Sequence, residues 1–319
     1  TVQTMDLDPG IRTYIDEANA VYGDDGEHAP VEAQRAAYTA LCRHFARPYP
    51  ASVSASDRLL EIRQQKIPVR IYRPAGDLPL PGVVFFHGGG WVLGGLDSHD
   101  SITADLCGRT GAVVVAVDYR LAPEHPFPAA FDDSYDAVAH IAAQSAEFGI
   151  EATHLAVCGD SAGGNLAAAV ALAARDRGGP PIAGQALIYP ACGNDFDLPS
   201  CHENAEAPML TRSGMIEYWD MYMGGDPSRA DRYAAPLRAG DFRGLPPAFI
   251  TTAQHDPVRD DGRLYGERLR DAGVRVEYRN AARLVHGWLR ARHISPDAML
   301  EFEALCAALG RMLRAKALP

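Results

Sequence analysis

Five short runs of this chain are apolar almost throughout: Val83 to Phe86, Ala112 to Val117, Leu155 to Cys158, Ala186 to Tyr189 and Ala248 to Thr251. Runs of this length with no alternating polar positions suit strands covered on both faces, as in a parallel sheet. Helical spacing separates most of them, over Ser98 to Arg109, Phe131 to Glu147, Ala162 to Asp176 and Arg259 to Ala272. Strands alternating with helices predict α/β architecture with right-handed crossovers. Arg58 to Arg63 and Ile67 to Tyr72 read as an antiparallel pair before the first run. Val274 to Tyr278 reads as a last strand, and Asp297 to Lys316 as a final helix.

One connection breaks this rhythm. Ala191 to Pro236 is too long for a structureless loop in a compact domain. Within it, Thr211 to Met223 sets Met215, Tyr218, Trp219 and Tyr222 at helical spacing, so the segment reads as an inserted helical cap. Residues 5–45 read as two further helices, the first opened by Leu7-Asp8-Pro9 and the second over Val31 to Phe45, with a loop from Gly23 to Pro30. They have no place in the sheet order and are expected to pack with the cap. The expected division is 1–50 as N-terminal helices of the cap, 51–190 as the first part of the core, 191–236 as the cap insertion and 237–319 as the second part of the core.

A net charge of −11 and a pI near 5.4 argue against nucleic acid or an anionic membrane as partner. No apolar run approaches the ~20 residues that cross a bilayer. Thr1 to Gly10 is polar and acidic, without the pattern of a secretory signal, so a cytoplasmic protein is expected. The six cysteines form no C-x-x-C pair, which leaves a structural zinc site without support. Cys192 and Cys201 bracket a loop, but reduced thiols are the expectation.

Chemistry concentrates around Val157-Cys158-Gly159-Asp160-Ser161-Ala162-Gly163-Gly164-Asn165. An apolar strand runs here through a tight glycine turn into an Ala-rich helix. Gly159-Asp160-Ser161-Ala162-Gly163 fits the G-x-S-x-G nucleophile elbow. The turn forces the serine into a strained backbone conformation that neighbours with side chains would obstruct. Its Oγ then stands at a helix N-terminus, where N–H groups favour developing negative charge. His87-Gly88-Gly89-Gly90 follows directly on the strand ending at Phe86, and its glycines let backbone N–H groups approach an oxyanion. A base and an orienting acid are expected after the serine. Asp256, just past the strand Ala248 to Thr251, and His286, a short loop past the last strand, fill those roles. Asp260 and Asp261 are read as capping, or as pairing with Arg259 and Arg263. His255 should point elsewhere, His293 lies at the entry to the final helix, and His99, His125 and His140 are read as structural or surface residues. His87 is assigned to holding the glycine loop.

Together, His87-Gly88-Gly89-Gly90-Trp91, Asp118-Tyr119-Arg120-Leu121-Ala122-Pro123-Glu124, Gly159-Asp160-Ser161-Ala162-Gly163-Gly164, Asp256-Pro257-Val258-Arg259-Asp260 and His286-Gly287-Trp288 resemble the hormone-sensitive-lipase-like esterases. These are the H-G-G-G branch of the α/β-hydrolases. The resemblance implies a mostly parallel eight-stranded sheet with a helical cap. It further implies hydrolysis of short-acyl carboxylic esters through an acyl-enzyme on Ser161, with Asp256 and His286 completing a triad and no cofactor or metal. The oxyanion hole is then the backbone N–H groups of Gly89, Gly90 and Ala162. The family is often dimeric through an edge strand, here Val274 to Tyr278. Trp288 stands where phenylalanine is usual, a change of packing beside the base. Glu124 is expected to brace the site through charged and hydrogen-bonded contacts. Trp91, Asp160, Tyr189, Trp219 and Tyr222 are candidates for the substrate pocket. An acyltransferase, an amidase or a lactonase would use the same triad, and a non-catalytic binding protein is the alternative of a different class.

Overall fold

The computed structural model describes residues 4–22 and 29–314. Most of the loop expected from Gly23 to Pro30, and the end of the final helix expected at Lys316, lie outside those residues. Two helices open the chain, α1 (Pro9–Tyr22) and α2 (Val31–His44), followed by a hairpin of β1 (Ser54–Ile62) and β2 (Gln65–Arg73). The alternation then runs β3 (Leu80–Phe86), α3 (Asp100–Thr110), β4 (Val113–Val117), α4 (Ala129–Ala143), a short α5 (Ser145–Phe148), β5 (Ile150–Asp160), α6 (Ala162–Asp176) and β6 (Gly184–Ile188). The long connection carries α7 (Pro199–Glu203) and α8 (Arg212–Tyr222), and the chain closes with β7 (Ala248–His255), α9 (Arg259–Asp271), β8 (Val276–Val285) and α10 (Pro296–Arg314).

All eight strands form one sheet in the order β1-β2-β4-β3-β5-β6-β7-β8. β2 runs antiparallel to both its neighbours, and every pair from β4 to β8 is parallel. In the hairpin Ile62 faces Gln65, which leaves Arg63 and Gln64 as a two-residue turn, both at positive φ (50° and 80°). That turn matches the twist of the strands it joins. The apolar runs are explained by what covers them. Val84 and Phe86 of β3, with Val113, Val115 and Val117 of β4, pack under α4 and α6. Their alternates Val83, Phe85, Val114 and Ala116 pack under α1, α3 and α10. Neither face of these strands meets water, so neither set of positions needs to be polar.

The last strand departs from its expected bounds. β8 begins at Val276 and continues to Val285, pairing with β7 as far as His255↔Val285. Its second half, Asn280 to Arg283, is too polar to read as a sheet strand in the sequence. As an end strand of the sheet it tolerates those residues, and β7 and α10 supply partners: Thr252 Oγ1 lies 3.0 Å from Asn280 Oδ1, and Arg283 pairs with Asp297 at 3.2 Å. His286 therefore follows the strand directly, with no loop between.

The base of the long insertion is tied to α9 by acids. Asp260 pairs with Arg263 at 3.1 Å, as expected, and also accepts from the Ser200 N–H at 2.9 Å. Asp261 does not pair with an arginine. It turns inward and accepts from the Gly193 N–H at 2.8 Å. Burial holds its carboxyl well above the usual carboxylate range. A folded-state value above the unfolded one makes the associated stability complete below about pH 4 and lost as the pH rises through the folded value. Asp261→Asn keeps an oxygen acceptor for Gly193 and removes the titration. The variant's thermal midpoint should gain on that of the wild type between pH 5 and pH 8; a gap that stays constant or narrows would contradict this assignment.

Candidate active site

β3 leads through α3 to β4 on one side, whereas β4 leads through α4 and α5 to β5 on the other. The sheet order thus reverses at β3 and β5, and the crevice beyond their carboxyl ends is where α/β sheets bind ligands. His87 to Gly90 leaves one of these strands, and Asp160-Ser161 leaves the other.

Ser161 has φ 57° and ψ −117°, in the left-handed range that residues with side chains rarely adopt. The turn is held by the Ser161 N–H donating to Ile188 O at 2.8 Å and by Asn165 N–H donating to Ser161 O at 3.0 Å. Glycine is required around it by contact. A Cβ on Gly163 would stand 1.9 Å from the Phe86 carbonyl oxygen, and one on Gly159 would stand 2.2 Å from Gly163 O.

Across the crevice, His286 Nε2 lies 2.8 Å from Ser161 Oγ, and His286 Nδ1 lies 2.7 Å from Asp256 Oδ2. The side chain of Asp256 is wholly buried. Its other oxygen accepts from the Val258 N–H at 2.9 Å, which fixes the carboxylate plane. A carboxylate only accepts, so the imidazole proton sits on Nδ1 and the Nε2 lone pair faces the serine hydroxyl. Gly287 takes φ 76° immediately after the imidazole, and the Tyr189 ring packs 4.7 Å from it. Three residues far apart in the chain are thereby in one hydrogen-bonded series. Four of the histidines set aside in the sequence stand apart from it. His255 meets Asp6 O at 3.2 Å, His293 meets Asp105 at 2.9 Å, His140 packs edge-on to Phe148, and His125 is exposed.

The glycine loop is fixed from within and from outside. Asp160 Oδ1 accepts from the Gly88 N–H at 2.9 Å, tying this loop to the residue before Ser161. His87 Nδ1 lies 2.8 Å from Gly88 O and its ring stacks on Tyr119, whose hydroxyl donates to His87 O at 2.6 Å. Burial pushes the His87 imidazole down to about 4, so it stays neutral near pH 7. Gly89 and Gly90 have φ of 125° and 59°. Among the described residues, the N–H groups of Gly89, Gly90 and Ala162 donate to no other group, and all three residues line the cavity above Ser161. From outside, Arg35 of α2 donates to Val92 O at 2.9 Å and to Ala122 O at 3.1 Å, and grips Glu124 with both terminal nitrogens at 2.7 and 2.8 Å. Glu124 is placed as the brace the sequence suggests, but its partner Arg35 carried no signal there.

The cavity is lined by the glycine loop and by residues of α1, α2 and α8. Trp91, Asp160, Tyr189 and Trp219 line it, as expected. Tyr222 does not, which corrects the sequence reading: it lies behind Trp91 with the rings stacked at 4.2 Å, and it is wholly buried. Helical spacing places Trp219 and Tyr222 on neighbouring faces without telling which one meets the cavity. Tyr218, on the same helix, lies over Gly90 and donates to Gln34 at 3.0 Å, joining α8 to α2. His99 also faces the cavity, where its Nε2 lies 3.0 Å from Asp160 Oδ1. Arg290, four residues after His286, completes that wall. The sequence reading set His99 among structural or surface residues and did not single out Arg290, whose partners Ser98 and Tyr38 lie far off in the chain.

Comparison with known proteins agrees with this arrangement. A family model described as alpha/beta hydrolase fold matches residues 83–290. Carboxylesterase NlhH of Mycobacterium tuberculosis is 47% identical over 254 residues, covering 78% of this chain and 79% of that protein. Among solved structures, DphMB1 superposes with a TM-score of 0.86 at 40% identity, over 96% of this chain and 99% of its own. A thermostable esterase from Pseudomonas putida ECU1011 superposes with a TM-score of 0.91 at 32% identity, over 97% and 98%.

The contact between Gly163 and Phe86 can be tested directly. Gly163→Ala gains helix propensity of up to about 1 kcal/mol, but it drives a methyl into a backbone carbonyl that cannot rotate away. Overpacking of this kind costs about 1–3 kcal/mol, occasionally more. Urea denaturation should show a net loss of stability, and a variant as stable as the wild type would refute the close approach.

Proposed function

The chain belongs to the alpha/beta-hydrolase family, and from that premise we propose that it is a carboxylesterase working through Ser161, His286 and Asp256. The observation that carries this reading is the unbroken series from Asp256 through His286 to Ser161 Oγ, at 2.7 and 2.8 Å, beside three N–H groups with no internal acceptor among the described residues. His286 takes the Ser161 proton as Oγ attacks the ester carbonyl, and returns it to the departing alkoxide. Asp256 holds the tautomer and stabilises the imidazolium. Gly89, Gly90 and Ala162 donate to the oxyanion. Water then repeats the sequence on the acyl-enzyme and releases the acid, with no cofactor or metal in any step. A purely binding role is disfavoured, because such a role gives no reason to keep His286 aligned on the serine.

In this reading α1, α2 and the 191–236 insertion form a cap whose aromatic side chains limit the ester to short acyl chains. The outer edge of β8, at the end of the sheet, is available to pair with a second copy of the chain. All six cysteines are buried and free, in keeping with a reducing cytoplasm. Among the described residues no helix is long and apolar enough to cross a membrane.

Hydrolysis of p-nitrophenyl butyrate followed at 400 nm (roughly the p-nitrophenolate band) checks the triad. Ser161→Ala should lower kcat by about 10⁴-fold or more. Asp256→Asn, which permits the wrong imidazole tautomer, should cost on the order of 10⁴-fold. A rate left unchanged by either substitution would overturn the assignment.

A further inference from the structure

Among the described residues two arginines are buried, and they are built differently. Arg292 has a carboxylate partner, with Nε donating to Asp105 at 2.9 Å. Arg290 is only 8% exposed and has none: among the described residues no Asp or Glu oxygen lies within 4.0 Å of it. Its two bonds go to neutral oxygens, Nη1 to Ser98 O at 2.8 Å and Nη2 to the Tyr38 hydroxyl at 3.2 Å, and the guanidinium lies 5.4 Å from the centre of the Tyr38 ring. Arg290 and Tyr38 both line the cavity that holds Ser161.

Among the described residues, the only other Asp, Glu, Lys or Arg of that lining is Asp160. Its oxygens already accept from the Gly88 N–H at 2.9 Å and lie 3.0 Å from His99, so it attracts Arg290 through space without meeting it within 4.0 Å. A guanidinium withdrawn from water and facing neutral acceptors carries a desolvation penalty that two such bonds offset only in part. A carboxylate supplied by a ligand is the partner that its planar donor fork fits best.

Resting on the carboxylesterase reading above, we propose that Arg290, assisted by the Tyr38 hydroxyl, selects a substrate that carries a free carboxylate in addition to its scissile ester. Hydrolysis of such a half-ester consumes one water. It releases an alcohol and a dicarboxylate when the charge is on the acyl side, or an acid and a hydroxycarboxylate when it is on the alcohol side. Arg290 touches the distant carboxylate and not the reacting atoms, so it sets specificity and takes no chemical step.

The test compares matched pairs on the wild-type chain. The monoethyl esters of succinate, glutarate and adipate are set against ethyl butyrate, pentanoate and hexanoate, and 6-acetoxyhexanoate against hexyl acetate. In at least one pair the charged member should have a kcat/KM about tenfold or more above its neutral counterpart, the range of a charge-assisted hydrogen bond. Arg290→Met should abolish or reverse that ratio, and Arg290→Lys should retain part of it. A merely structural role for Arg290 would move both members of a pair together. If Arg290→Met does not fold, Tyr38→Phe should still lower the ratio several-fold. Charged esters slower than their neutral partners in every pair, with p-nitrophenyl butyrate still hydrolysed, would overturn the proposal and leave the carboxylesterase reading intact. If no ester is turned over, that reading fails instead, and calorimetric titration with the same half-esters decides the carboxylate site: binding tighter than the neutral partner supports it, and equal binding removes it.

Discussion

At Gly163 the first turn of α6 lies so close to the end of β3 that no side chain fits between them. This contact sets the distance between the two halves of the crevice. With α6 pressed against the Phe86 carbonyl, the glycine loop that follows β3 lies beside the turn that carries Ser161. A bulkier residue at Gly159 or Gly163 would lift the helix and move the serine away from both His286 and the loop amides. The strained backbone at Ser161 is the local consequence, and the hydrogen bond from its N–H to Ile188 O offsets part of it. Trp91, Tyr189 and Met209 line the same cavity and also have positive φ, so backbone strain is concentrated where the substrate must fit.

Electrostatics inside the crevice are arranged around Asp160. Burial works against its charge, but His99, Arg290 and the Gly88 N–H outweigh that and hold the carboxyl below its ordinary range. One carboxylate thereby fixes the glycine loop, orients His99 and supplies negative potential opposite Arg290. Burial pushes the His87 imidazole down to about 4, so it gains no charge near neutral pH, and burial also lowers His99. The acidic surface of the chain as a whole gives no hint of this interior. A net charge of −11 argues about partners at long range, whereas Arg290 acts at contact distance within the cavity.

The N-terminal helices do more than cover the cavity. Arg35 joins α2 to the backbone just after the glycine loop, at Val92, and to the 118–124 segment, at Ala122, and Gln34 of the same helix meets Tyr218 of α8. Two segments remote in the chain are thus tied to each other and to the loop that would receive an oxyanion. Substrate fit, loop position and the seating of α2 are mechanically one problem here.

The elements that meet at the crevice were legible in the sequence wherever the reason for a residue is local. A serine between glycines at a strand-to-helix junction, glycines at a strand end, and apolar runs without alternation each follow from backbone sterics or two-sided burial, and these act over a few residues. Asp256 and His286 were legible for a related reason, since parallel strands end at one edge and residues just beyond those ends can meet. What the sequence left open depends on which surfaces come together. Asn280 to Arg283 reads as loop because its polar residues find their partners only through tertiary contact, with β7, α10 and the segment before α1. Tyr222 and Trp219 share a helix, and only packing decides that Trp219 meets the cavity and Tyr222 the back of Trp91. Asp261 looks like a surface acid until Gly193 folds over it. Arg35, His99 and Arg290 reach the site from loops and helices with no motif of their own, because a side chain's partner across the fold is fixed by tertiary contact and leaves no periodic trace along the chain.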